Sequence, residues 1–375
     1  MNPFKYGKVV SDPFFVNRKN ELSEISLNLQ SGNNLIIYAP RRYGKTSLIK
    51  KVLEEMEQID GVFTIYVDFF QVISQKKFID LYTRKILNTK KISLEKSLSI
   101  FKKLVSGILP SITINELGKP VINFSYQPTA DKEKTLIEVL ELPEKLYDNK
   151  RLIVVFDEFQ EIEKLNGENF ENQLRSVIQF HKNVSYVFMG SQTHLLLDMF
   201  QDKKRAFYNI GKLMRIEKIP EKEMKTYLKD RFVKTGLKIS NQILDSMINI
   251  SDNIPYYVQF LAFEIWQIAF LENAKIGEKI LDKAIDKIIN NQSDYYFELF
   301  EKISNYQKKL LLALIKENSN IFSKDFSEQY NMSSASSTQR AVNRLIMIGI
   351  IDKIGNTFSF SDPFFKRFLQ IRFDA

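Results

Sequence analysis

A chain of 375 residues is long enough for two or three packed domains, and its 44% hydrophobic content supplies their cores. It holds no cysteine and only two histidines, His181 and His194, which excludes disulfides, thiolate metal centres and an ordinary zinc site, so any metal would be oxygen-bound. A net charge of +9 suits a polyanionic partner and equally a lysine-rich solvated surface, and decides nothing alone.

The opening "MNPFKYGKVVSDPFF" lacks the apolar core of a signal peptide, and the most apolar later run, "YYVQFLAFEIWQIAFL", is broken by Gln259, Glu264 and Gln267. A soluble cytoplasmic protein with no membrane contact is the expectation. The first buried strand is "LIIY", followed by "APRRYGKTS" and then by a helix with Leu48, Ile49, Val52, Leu53 and Met56 at helical spacing. Strand, loop, helix is the setting of a phosphate-binding loop, with Gly44, Lys45 and Thr46 at the required places and Ala39 where the pattern asks for glycine. A methyl group is the smallest possible addition there, so binding is expected to survive. Ala39, Pro40, Arg41, Arg42, Tyr43, Gly44, Lys45, Thr46 and Ser47 are therefore candidate nucleotide contacts. Backbone NH groups would cradle the phosphates, Lys45 would reach the β and γ phosphates, and Thr46 would join a magnesium shell. Gly44 stands where the backbone needs close approach and positive φ. Arg41 and Arg42 suit a phosphate, a neighbouring subunit or plain solvent.

"GVFTIYVDFF" reads as a second strand. Residues 71–150 then separate it from the next core strand and include "GILPSITINELGKPVINFSYQP", an inserted hairpin near 107–128 that suits partner recognition. "LIVVFDE" is a central parallel strand that delivers Asp157 and Glu158 to its carboxyl tip. Asp157 is the candidate magnesium holder and Glu158 the group that activates water. "VSYVFMGSQTH" is another strand, with Ser191 at its tip as a sensor of the γ phosphate, and Leu213 to Ile219 alternates as a fifth. A strand between the acid pair and the phosphate loop points to the branch of P-loop proteins that includes AAA+ and STAND ATPases.

From Pro220 onward helical spacing dominates to about residue 297, with Trp266 on an apolar face, a pattern that suits a helical lid. Residues 298–375 give three helices and a hairpin with Gly355 and Asn356 at its tip, the order of a winged helix. If it grips duplex DNA, Ser337, Thr338, Gln339, Arg340, Asn343 and Arg344 would face the major groove and Lys353 a phosphate. From 301 to 375 there are eleven Lys or Arg against seven Asp or Glu, only a mild positive excess.

Taken together, "FFVNRKNEL", "APRRYGKTSL", "VVFDEFQEI", "MGSQTHLL", "FQDKKRAFY", "NIPYYVQFLA" and "FSFSDPFFKRFL" resemble the prokaryotic, largely archaeal family of AAA+ ATPases close to the STAND signalling ATPases, along nearly the whole chain. The resemblance implies an α/β P-loop NTPase fold with a parallel-sheet core (residues 1–219), a helical lid (220–297) and a C-terminal winged helix (298–375). It also implies that Val16, Asn17 and Arg18 lie beside adenine and ribose, with Asn17 in place of the usual glycine, and that Pro255 touches the base, with Asn253 where glycine is frequent. Arg205 becomes the candidate arginine finger or sensor, in cis or across a subunit contact in an oligomer. ATP and Mg2+ are the implied ligands, ADP the product, and lid closure the implied motion. Two outputs stay open: an ATPase whose winged helix holds duplex DNA, or a signalling switch whose winged helix docks on protein.

Overall fold

The structure, a computed structural model, describes the whole chain except residues 90–93, 115–117, 119, 128–130, 148–149, 166 and 374–375. The chain divides into two compact units. One comprises residues 18–39 and 45–216, and the other residues 1–17, 40–44 and 217–375.

The first unit is built on a parallel sheet. Its strands are β1 (Leu35–Tyr38), β2 (Val62–Asp68), β5 (Arg151–Asp157), β6 (Val184–Gly190) and β7 (Lys212–Arg215), in the order β2-β5-β6-β1-β7. The acidic strand β5 is thus separated from β1 by β6, as expected. The central strands are largely apolar and buried: every residue of β6 is buried, as are Leu152 to Asp157 of β5, because helices cover both faces of such a sheet. The helix Lys45–Met56 buries Leu48, Ile49, Val52, Leu53 and Met56 along one face. Beneath the carboxyl end of β5 the core is aromatic. Phe156, Phe159, Phe188, Phe200 and Phe207 contact one another at ring separations of 4.7 to 5.9 Å. Each such pair contributes about 0.5–1.5 kcal/mol beyond its buried area, so the strand tips are held by a stiff floor.

The fifth strand is shorter than the alternation from Leu213 to Ile219 suggests. β7 sits at the sheet edge and pairs only with the four residues of β1, so its ladder ends at Arg215, opposite Tyr38. The inserted hairpin is present as β3 (Ile108–Ile114) paired antiparallel with β4 (Pro120–Tyr126), and the expected end of the segment, residue 128, lies outside the described residues.

The second unit is helical. Helices Glu221–Lys234, Asn241–Ile250, Pro255–Leu271 and Glu278–Glu301 are followed by Asn305–Lys316, Lys324–Gln329 and Ala335–Met347, the antiparallel pair β8 (Ile351–Ile354) and β9 (Thr357–Phe360), and the helix Pro363–Phe373. Three helices, a hairpin with Gly355 at φ 61° and a closing helix make a winged helix. The expected boundary at 297/298 falls inside the helix Glu278–Glu301, since "YYFELFE" carries no breaker. That helix buries Tyr296 against Phe365 and Phe368 of the closing helix. Trp266 is buried, as its position predicts, and its ring nitrogen donates to Thr235. Among the described residues no helix is long and apolar enough to cross a membrane.

Candidate functional site

In parallel register, β2 and β5 end together, with Asp68 opposite Asp157. Polar groups collect at this edge because the strands stop there and the chain turns away. The hydroxyl of Thr46, the second residue of its helix, donates to Asp157 Oδ2 at 3.2 Å. A hydroxyl beside a carboxylate is the hard-oxygen pair that magnesium takes from protein when phosphate and water complete its shell. The two residues therefore fit the ion that the fold implies. No group of three or more acidic or histidine side chains that could hold a metal ion occurs among the described residues.

Asp157 has a further partner that sequence reasoning missed. The Tyr66 hydroxyl, from β2, donates to Asp157 Oδ2, and the Lys50 ammonium lies 3.4 Å from the centre of the Tyr66 ring. Burial, and then the negative charge of Asp157, push the Tyr66 hydroxyl well above its ordinary pKa, so it stays a donor. Asp68 was missed too. Burial raises its carboxyl, the Phe70 NH partly offsets this, and Asp157 and Glu158 raise it again. The available signal was register: two apolar strands that both end in aspartate.

Glu158 follows in the left-handed conformation, φ 50° and ψ 44°, which turns its side chain out of the strand direction. Its Oε2 accepts from Ser191 Oγ at 2.8 Å, from the Ser191 NH at 3.1 Å and from Gln160 Nε2 at 2.6 Å. Ser191, expected at the phosphate, is thus joined to the glutamate by two bonds.

In the loop, Gly44 has φ 87°, the left-handed value anticipated for it. Ala39 is fully buried and lies outside the positive-φ set, so nothing in its backbone asks for glycine. Lys45 Nζ is buried and donates to the Ala39 carbonyl at 3.4 Å. Pro40, Tyr43 and Ser47 are buried, and Arg41 is exposed. Arg42 departs from its expected role at phosphate. It holds φ 72°, places its guanidinium over Tyr256 and Tyr257 at 4.8 and 4.7 Å, and pairs with Asp362 at 3.4 Å. Asp362 caps the closing helix through the Phe364 and Phe365 NH groups and accepts from the Tyr296 hydroxyl. One arginine of the loop is thereby committed to the start of the helix Pro255–Leu271 and to the last helix of the winged helix.

Several expected contacts are corrected. Arg205, anticipated as a finger, is bound to the buried Glu171 and to Glu163 at 3.0 Å, so its charge is already neutralised within the sheet unit. Thr338 is fully buried and bonded to the Tyr306 hydroxyl at 2.8 Å, because it falls on the inner face of its helix, and it cannot meet DNA. Ser334 caps that helix, and Ser337 donates its NH to the cap. Gln339, Arg340, Asn343, Arg344 and Lys353 are exposed. Arg18 is buried in an ion pair with Glu21 at 2.8 Å; the buried Val16 and exposed Asn17 belong to the other unit. Pro255 opens its helix at a first-turn position. Asn253 has φ 48°, which explains why glycine would serve there equally.

Residues 15–259 match the model of an ATPase domain predominantly from Archaea, and residues 294–371 match that of a probable winged helix domain. The ATP-binding protein MJ1076 of Methanocaldococcus jannaschii is 24% identical over 293 residues, which span 75% of this chain and 76% of that one. Among solved structures, the Walker-type ATPase paby2304 of Pyrococcus abyssi superposes with a TM-score of 0.67 at 16% identity, covering 98% of this chain and 99% of the other. The Aeropyrum pernix ORC1 protein in complex with DNA gives 0.51 at 13% identity, covering 96% and 93%.

Proposed function

This chain belongs to the family of ATPase domains found predominantly in Archaea, and from that premise we propose that it hydrolyses ATP with magnesium and passes its nucleotide state to its winged helix. The observation that carries the hydrolytic part is the meeting of Thr46, Asp157, Glu158 and Ser191 at one sheet edge. Magnesium held by Thr46 and Asp157 would offset the charge of the β and γ phosphates. Lys45 leaves the Ala39 carbonyl for phosphate oxygen, and the loop NH groups cradle the chain of phosphates. Glu158 takes a proton from the attacking water as its oxygen bonds to the γ phosphorus and ADP departs, which leaves inorganic phosphate.

Arg42 supports the second half of the reading. It belongs to the phosphate loop by sequence and to the winged helix by contact, so a change in loop conformation alters the Asp362 cap directly. The output favoured is DNA binding. Arg340, Arg344 and Lys353 are exposed with Gln339 and Asn343 between them, and the similar ORC1 protein was solved on DNA. A signalling switch that docks on protein is the competing output.

Steady-state ATP turnover, with and without duplex DNA at low and moderate salt, tests both parts. Turnover stimulated by DNA and lost as salt rises is the expected result, because phosphate contacts release counterions. Turnover indifferent to DNA assigns the winged helix to a protein partner, and no turnover removes the hydrolytic reading.

A further inference from the structure

Gln160 sits at the site, yet the chemistry above gives it nothing to do. It is 3% exposed, and its Nε2 lies 2.6 Å from Glu158 Oε2, the same oxygen that takes both Ser191 donors. We propose that Gln160 is a positioning residue for Glu158, an inference that rests on the hydrolytic reading of the site. Three donors on one carboxylate oxygen fix the rotation of the group and leave Oε1 as the oxygen that meets water.

Two observations indicate that the chain makes room for this amide. Gly190, the last residue of β6, has no side chain where a methyl group would collide with Gln160 Oε1 and come within 3.2 Å of Leu196 Cδ1. Gln160 Oε1 is itself buried and has no hydrogen-bond partner among the described residues. A buried carbonyl without a partner is destabilising, and leucine of similar volume would avoid that penalty. The amide is kept at that cost because its other end holds Glu158.

The test compares wild type with Gln160→Leu, Gly190→Ala, their double variant and Glu158→Gln. Gln160→Leu should lower kcat about tenfold or more while KM, the ADP dissociation constant and Tm stay near wild type, since only the orientation of the base is lost. Gly190→Ala should also lower kcat by displacing the amide, with a fall in Tm from the crowding at Leu196, and the double variant should be no worse in kcat than the worse single variant. A Gln160→Leu protein with wild-type kcat overturns the proposal, as does a fall in its kcat matched by lost ADP affinity or lowered Tm. The underlying reading is separable: it fails if wild type does not hydrolyse ATP or if Glu158→Gln turns over equally. An active wild type with an inactive Glu158→Gln confines any failure to Gln160.

Discussion

Asp157 and Glu158 sit among partners: Thr46 and Tyr66 on one, Ser191 and Gln160 on the other, over a floor of packed phenylalanines. Arg340 and Arg344, on the helix Ala335–Met347, are exposed, and Gln339 donates to Asn343 one turn along. The first region is held in place by its own hydrogen bonds and packed rings, the preorganisation that the proposed hydrolysis would use. The second presents charged and amide side chains to solvent with partners only a turn away on the same helix, such as Arg340 with Ser337. The two regions thus differ in how their polar side chains are held: by buried partners in the first, and in solvent in the second.

The largest expected effect lies in the first region. Lys45→Ala removes a buried ammonium that the proposed reading sends to phosphate, and should weaken ATP affinity by about a hundredfold, measured with a fluorescent analogue. Tyr66→Phe is next. It takes a donor from Asp157 without changing shape, so the magnesium requirement for turnover should rise about tenfold in a titration of the ion. An unchanged requirement would show that Thr46 and the Glu158 NH orient the aspartate without Tyr66.

Arg42 belongs to the loop by sequence and pairs with Asp362 of the closing helix, and its effect is smaller. The pair with Asp362 is part-exposed, so a double-mutant cycle of Arg42→Ala and Asp362→Ala in thermal unfolding should give a coupling of about 0.5 kcal/mol. ATP should abolish that coupling if the loop releases the winged helix. Smallest of all is Ala39→Gly, expected to shift ATP affinity by less than about threefold, because the backbone there does not use the conformations reserved for glycine.

Much of the first region was legible beforehand. "LIVVFDE" and "GKT" are local signals, and of the sheet order one feature was anticipated, a strand between the acidic strand and the loop strand. Tyr66, Asp68 and Gln160 were not legible, because their roles arise from the pairing of β2 with β5 and from a missing side chain at Gly190, both set by three-dimensional contact. Arg205 misled for the same reason. A basic run in the sequence shows a charge, while Glu163 and Glu171, far along the chain, decide that the charge is already taken. Thr338 erred through phase: one position on a helix separates the groove-facing side from the core.

The central claim is that Glu158 activates water at a site that binds nucleotide without it. The direct measurement is the identity of the nucleotide retained after wild type and Glu158→Gln are each incubated with ATP and magnesium, isolated and denatured. ADP from wild type and intact ATP from the variant, at similar occupancy, is the predicted result. ADP from both would contradict the account.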